Sequence, residues 1–302
     1  MALAGASDVY SASSDLFKAF LGISMSASQV YRVSNVLGNQ IDLDLQEDVI
    51  HPDLLEHEVV YASMDGSMAL TDQGWQEVKV GRVFNSESRQ EAGKKGDKGT
   101  RFMLEKSTYC AHLGTSEEFI PLFEASLGTY KASPERLVFI TDGAVWIQQY
   151  NEQTYPKSTH ILDYYHALEH VAEFSKIHFK RAKAGTQWLD KQRDRLLNNG
   201  VDEVLADLTS LRNLSLAAGA SRRGLVGYYT RNRHRMQYGS FRSWGLQIGS
   251  GPMEAAHRTV VQCRAKRSGQ RWTAEGLQAI LNLRIASKSG RWELVTNKLG
   301  TS

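Results

Sequence analysis

Apolar positions recur along this chain in two rhythms. Between residues 15 and 57 the spacing is helical. Leu16, Phe17, Phe20 and Leu21 share one predicted helix face, and Val30, Val33, Val36 and Leu37 form a later one. His51-Pro52 punctuates the end of that region. From residue 59 the rhythm shortens. VVYASM (59–64) is β-branched and aromatic and runs into Asp65-Gly66, which predicts a strand ending at the aspartate. WQEVKVGRVF (75–84) predicts a second strand with Gly81 as a bulge, and RFMLEKSTYCA (101–111) a third. The polar, glycine-rich NSESRQEAGKKGDKGT between them reads as an exposed hairpin loop.

Helical spacing returns after Thr115. Thr115 and Glu118 make a capping-box pattern, and Phe119, Ile120, Leu122, Phe123 and Leu127 form an apolar stripe. LVFIT (137–141) reads as a buried strand leading into Asp142-Gly143. A helix around Trp146–Tyr150 and a strand at Thr159–Leu162 follow. His166 to Ala217 is helical and charged, punctuated at Gly185 and at Asn199-Gly200. Hairpins leading into β-α-β units predict an α/β fold, a mixed sheet with helices on both faces. That is the strand order of the ribonuclease-H-like fold.

Composition narrows the function. The chain has 302 residues, 41% hydrophobic and 23% charged, enough for a real core. No stretch has the apolar length to span a bilayer, and the first residues lack a signal peptide's charge and apolar run. The expectation is a cytoplasmic protein without membrane partners. Cys110 and Cys263 are far apart in no metal-binding pattern and read as reduced thiols. The net charge of +3 conceals an asymmetry: from Arg222 to Trp272 there are eleven Lys or Arg and a single acid, Glu254. So uneven a distribution suggests a polyanion partner, against the plainer reading of a solvated basic face. The interleaved Tyr228, Tyr229, Tyr238, Phe241, Trp244 and Trp272 favour a nucleic-acid surface, with core packing the alternative for most of these rings.

The candidate chemistry is carboxylate chemistry. Asp142-Gly143 alone is good turn sequence, but functional groups in α/β proteins collect at strand ends, so turn and site both stand. Asp65 and Asp142 would each close a strand, and in the expected fold those strands are neighbours. Facing carboxylates repel, and a divalent cation with oxygen ligands, Mg²⁺ or Mn²⁺, removes the difficulty. Phosphoryl transfer on two metals calls for a third carboxylate. Glu254 follows Gly-Ser-Gly-Pro, which starts a helix with Pro252 in its first turn. Met253, Ala256, Val260 and Cys263 would be its buried face, and Glu254, His257, Arg258 and Val261 would share another. Stabilisation of the helix dipole is the competing reading for Glu254.

These residues bring a family into view. MDGSM (64–68), GWQEVKVGRVF (74–84), ITDGAVWI (140–147), LDYYHALEH (162–170), RMQYGSFRSWGLQIGSGPMEAAHR (235–258) and KRSGQRW (266–272) together resemble DDE transposases of bacterial insertion sequences. The chain is most similar to the insertion-sequence Kra group, with kinship to Mutator-like enzymes, over about residues 58–285. The resemblance implies a catalytic triad of Asp65, Asp142 and Glu254 holding two Mg²⁺ ions, with Mn²⁺ as a substitute. It implies that Asp163 and His166 match a D-x-x-H pair, His166 acting near the scissile phosphate; a helix cap is the duller reading. It also implies a mainly helical insertion, here about 166–245, within a ribonuclease-H-like catalytic domain at 58–302. Residues 1–57 are then a short helical remnant able to contact DNA.

The implied partners are double-stranded DNA, both element ends and target, and at least a second copy of the chain on that DNA, in a nucleoid-associated setting. Arg231, Arg233, Arg235, Arg242, Arg258, Arg264, Lys266, Arg267 and Arg271 would neutralise phosphates. The alternatives are a truncated or domesticated transposase that binds DNA without transposing, and another ribonuclease-H-like nuclease such as a junction resolvase. A phosphatase using Asp142 as nucleophile lacks its companion residues.

Overall fold

The computed structural model describes residues 1–42, 44–46, 51, 53–94, 100–104 and 106–300. Pro52, residues 95–99 of the expected hairpin loop and Glu105 of the expected third strand lie outside them. The chain forms two compact units, Met1–Leu137 with Gly251–Ser302, and Val138–Ser250.

The first unit opens with α1 (Ala2–Ser7), α2 (Tyr10–Leu21) and α3 (Ala27–Gln40). Ser26 and Gln29 close a capping box on α3, which buries Val30 and Leu37 as its spacing predicts, while Val36 stays exposed. The stripe expected on α2 is not buried. Leu16, Phe20 and Leu21 are exposed because α2 seats on its neighbours through its first turns, where Ser13 is buried and Tyr10 meets the ring of Tyr31 edge-on.

The strands β1 (Val60–Thr71), β2 (Gly74–Asn85), β3 (Arg89–Lys94), β4 (Thr100–Leu104) and β5 (Thr108–Leu113) follow. β1 does not end at Asp65-Gly66: Asp65 pairs with Val80, Gly66 with Lys79, and the ladder runs on to Thr71. The pairing with β2 satisfies the backbone that a turn would otherwise have to satisfy locally. Gly81 is no bulge either, since it pairs in register with Met64 on one side and Cys110 on the other. It is small because a Cβ there would meet Cys110 Sγ at 2.5 Å and the Phe123 ring at 2.7 Å. The expected third strand divides into β4 and β5, and β4 pairs with β3 in a separate two-stranded ribbon, so strand replaces part of the expected loop. α4 (Ser116–Gly128) carries the Thr115–Glu118 capping box and buries Phe119, Phe123 and Leu127.

β6 (Leu137–Thr141) begins at the unit boundary, and α5 (Val145–Thr154) and β7 (Thr159–Leu162) complete a β-α-β unit with β6 and β7 parallel. The helices α6 (Tyr164–His178), α7 (Ala182–Leu197), α8 (Val201–Ser210), α9 (Leu216–Asn232) and α10 (Tyr238–Ser243) fill the rest of the second unit. Asn199 turns left-handed, φ 64°, and breaks the chain as expected. Gly185 does not: it lies inside α7, close against Ser175 and Phe179.

The chain returns to the first unit with α11 (Gly251–Ala256), a π-turn at His257–Gln262, α12 (Cys263–Ala265), α13 (Ala274–Lys288) and α14 (Glu293–Asn297). α13 lies against α3 and β5, and its Leu277, Ile280 and Leu281 join Leu37, Val78, Val80 and Val260 in the core of this unit. In the first unit β5-β2-β1 form an antiparallel sheet, and in the second β6 and β7 form a parallel pair. The mixed α/β class that the strand pattern predicts is present, and it is consistent with the ribonuclease-H-like fold that the resemblance implies.

Candidate functional site

In the first unit the site forms around Asp65. Its position midway along β1 fixes the backbone, and its Oδ1 accepts from the Gly66 amide at 2.6 Å. Oδ2 lies 3.0 Å from Nε2 of His257, at the start of the π-turn and one turn beyond Glu254. A sheet carboxylate and the helix of the expected third carboxylate are thereby brought together from positions almost two hundred residues apart. Glu254 itself is exposed in the first turn of α11. Lys266, after α12, donates to the Ser67 hydroxyl two residues along β1 from Asp65. Burial lowers the pKa of Lys266, and the Asp65 charge opposes that shift.

The π-turn changes the expected helix faces. An i→i+5 turn carries an extra residue, so α-helical spacing is lost beyond Ala256. Val260 and Val261 are both buried, His257 is buried, and Cys263 is exposed. The face expected to hold Glu254, His257, Arg258 and Val261 therefore splits, leaving Glu254 and Arg258 outward.

Two buried arginines that the sequence analysis did not single out hold this segment. Arg82 of β2 donates to the Pro252 carbonyl at 2.5 Å and to the Ser107 hydroxyl at 3.0 and 2.9 Å. Arg284 of α13 donates to the Thr259 carbonyl at 2.8 Å and to that of Ala6 at 2.6 Å. The available signal for Arg82 was a lone guanidinium inside an apolar strand, which must find acceptors when buried.

In the second unit Asp142 follows β6. Its Oδ1 accepts from the Ala144 amide at 3.0 Å, so the turn chemistry is present. Its carbonyl accepts from the Tyr228 hydroxyl at 2.7 Å. Gly143 adopts φ 92°, and a Cβ there would meet that hydroxyl at 2.8 Å, which explains the glycine. Burial first, and then the Asp142 charge, push the Tyr228 phenol up, keeping it protonated as the donor.

Asp163 is buried as the cap of α6. It accepts from the Tyr165 amide at 2.7 Å, from the His166 amide at 3.5 Å and from the Ser250 hydroxyl. Asp163 thus caps α6. His166 is half-exposed, its ring edge-on to His170, which in turn meets Tyr228.

The expected phosphate-binding residues divide by exposure. Arg231, Arg242 and Arg258 are exposed. Arg233 is paired with Asp202 at 2.7 Å, Arg267 with Asp8, and Arg271 donates to the Asp72 carbonyl at 3.0 Å. Arg235 and Arg264 are each only 1% exposed. Arg235 donates to the Thr141 hydroxyl at 3.2 Å and to Asn232. Arg264 donates to the Gly5 carbonyl at 2.7 Å and lies 4.6 Å from the ring centres of both Tyr10 and Trp272. Those two guanidinium groups are structural rather than surface charges. Tyr229, Tyr238, Phe241 and Trp272 are likewise core, whereas Trp244 is exposed.

Whether these residues fit a divalent cation is tested by their unsatisfied atoms. His257 has both ring nitrogens buried without a hydrogen-bond partner beside a carboxylate oxygen, a donor set that suits a metal. Among the described residues, no group of three or more His, Cys, Asp or Glu stands close enough to hold a metal ion by itself. Among them, too, no helix is long and apolar enough to cross a membrane. The model of an uncharacterised protein family, UPF0236, matches residues 57–297. No curated protein matches the chain.

Proposed function

The chain belongs to the uncharacterised protein family UPF0236, and we propose that it is a DDE transposase, cleaving DNA at the ends of an insertion sequence and joining those ends to target DNA. The observation that carries this reading is the 3.0 Å approach of Asp65 to His257, which sets a sheet carboxylate beside the Glu254 helix at the edge of the most basic segment of the chain. Asp65, Asp142 and Glu254 would hold Mg²⁺, which supplies activation of a water or 3′-hydroxyl and stabilisation of the leaving oxygen. Around them the chain's own groups position the nucleic acid. Lys266 and Arg258 neutralise the phosphate backbone, and Tyr228 fixes the turn that presents Asp142. The protein acts on double-stranded DNA in the cytoplasm as a homodimer or larger assembly, since two ends are joined.

The test is cleavage and strand transfer in Mg²⁺ on duplexes carrying the sequences that flank the coding region, with wild type and Asp142→Asn. Joining by wild type and its loss in the variant support the reading; undiminished joining by Asp142→Asn overturns it. A second reading is DNA binding without transposition, which the basic segment from Arg222 to Trp272 would serve without a metal. It expects binding that needs no metal and no product from either protein.

A further inference from the structure

We propose that His257 is itself a metal ligand, completing with Asp65 one edge of the coordination shell of a divalent cation. The inference rests on the reading above only in taking Asp65 as a ligand.

The His257 side chain is 7% exposed, yet neither ring nitrogen has a hydrogen-bond partner. Buried polar atoms left unpaired are costly and rare, so such a pair of atoms calls for an explanation. An ion pair with Asp65 would supply one, since Nε2 is 3.0 Å from Oδ2. An imidazolium at that distance would aim its N–H at the carboxylate, and the geometry is not that of a hydrogen bond.

A shared cation accounts for both facts. Ligand atoms about 2.1 Å from an octahedral ion, in adjacent positions, stand about 3.0 Å apart, with their lone pairs turned toward the ion and not toward each other. Asp65 is oriented for this: the Gly66 amide occupies Oδ1 at 2.6 Å, which turns Oδ2 to the histidine. The π-turn that begins at His257 is what draws the ring inward, away from exposed Glu254 and Arg258. Asp65 and His257 take two positions, and the others are left to the further carboxylates of the proposed triad, to water and to phosphate oxygens. An imidazole ligand also changes the ion: the site favours Mn²⁺ over Mg²⁺, because nitrogen donors suit transition metals.

The experiment is Mn²⁺ titration of the full chain without DNA, followed by pulsed electron paramagnetic resonance of the bound ion. Wild type should show nitrogen hyperfine coupling from a directly bound imidazole. His257→Ala should lose that coupling and bind Mn²⁺ at least about tenfold more weakly. His257→Gln, closer in volume, serves if the alanine variant fails to fold. Bound Mn²⁺ without nitrogen coupling in wild type, coupling that persists in a folded variant, or no Mn²⁺ binding would each overturn the proposal. Nitrogen coupling without DNA joining would sink the transposase reading and leave this inference standing. Joining without nitrogen coupling would do the reverse.

Discussion

The Arg82 guanidinium reaches the Pro252 carbonyl at 2.5 Å, linking the middle of β2 to the first turn of α11. Its other donors hold the Ser107 hydroxyl, and its carbon lies 5.1 Å from the Tyr109 ring centre. A buried cation is here satisfied by neutral acceptors and an aromatic face, and burial lowers its pKa. Arg82→Met keeps the apolar stem and strands those acceptors. It is expected to cost about 2–4 kcal/mol in urea unfolding. Arg82→Lys should recover only part, because one ammonium cannot reproduce the fork. A loss below about 0.5 kcal/mol in Arg82→Met would mean that packing alone seats α11.

Gly81 offers a cleaner test, because its backbone is ordinary strand and only space is at issue. Gly81→Ala drives a methyl group toward Cys110 Sγ and the Phe123 ring. The expected destabilisation is about 1–3 kcal/mol. Adding Cys110→Ala should return a measurable part of it, since the two changes share one contact. Additive losses in thermal unfolding would show that the crowding lies elsewhere.

The two cysteines should differ sharply in reactivity. Burial pushes the Cys110 thiol up to about 12, whereas Cys263 is exposed after the π-turn. Only the thiolate attacks a disulfide reagent. At pH 8 the native protein should release one equivalent of thionitrobenzoate and the unfolded protein two, and Cys263→Ser should silence the native signal. Two fast equivalents from the native protein would contradict the burial of Cys110.

Elements with a strong local signal were legible in the sequence. The Thr115–Glu118 box, the LVFIT strand and the Thr159–Leu162 strand fall where their residues put them. Asp65-Gly66 and Gly81 were misread because local turn and bulge chemistry gives way when a long-range ladder pairs the same backbone. The helix after Glu254 is not an unbroken α-helix through His257. A single π-turn, with no sequence signature, moved His257 and Val261 inward and Cys263 outward. Charge was legible as a total but not by address. Nothing local distinguishes Arg264, held by Gly5 and two rings from distant parts of the chain, from exposed Arg258.

That last difference predicts different salt behaviour on DNA. Each phosphate neutralised contributes about 0.9 to the slope of log affinity against log salt. Arg258, exposed beside the Glu254 helix, should behave as such a contact. Arg258→Ala should weaken duplex binding and flatten the slope by about one, with unfolding stability changed by less than about 0.5 kcal/mol. Arg264→Met should show the opposite pattern. Burial lowers that guanidinium's pKa only to about 10, so it is charged at neutral pH, but its donor is committed to the Gly5 carbonyl. The variant should lose about 2–4 kcal/mol of stability, yet at temperatures where it stays folded its salt slope should match wild type. Binding isotherms from 50 to about 200 mM salt, read beside urea melts, separate the two. A slope that flattens in Arg264→Met would place that side chain on the DNA after all, and a slope unchanged in Arg258→Ala would remove the exposed start of the π-turn from the nucleic-acid surface.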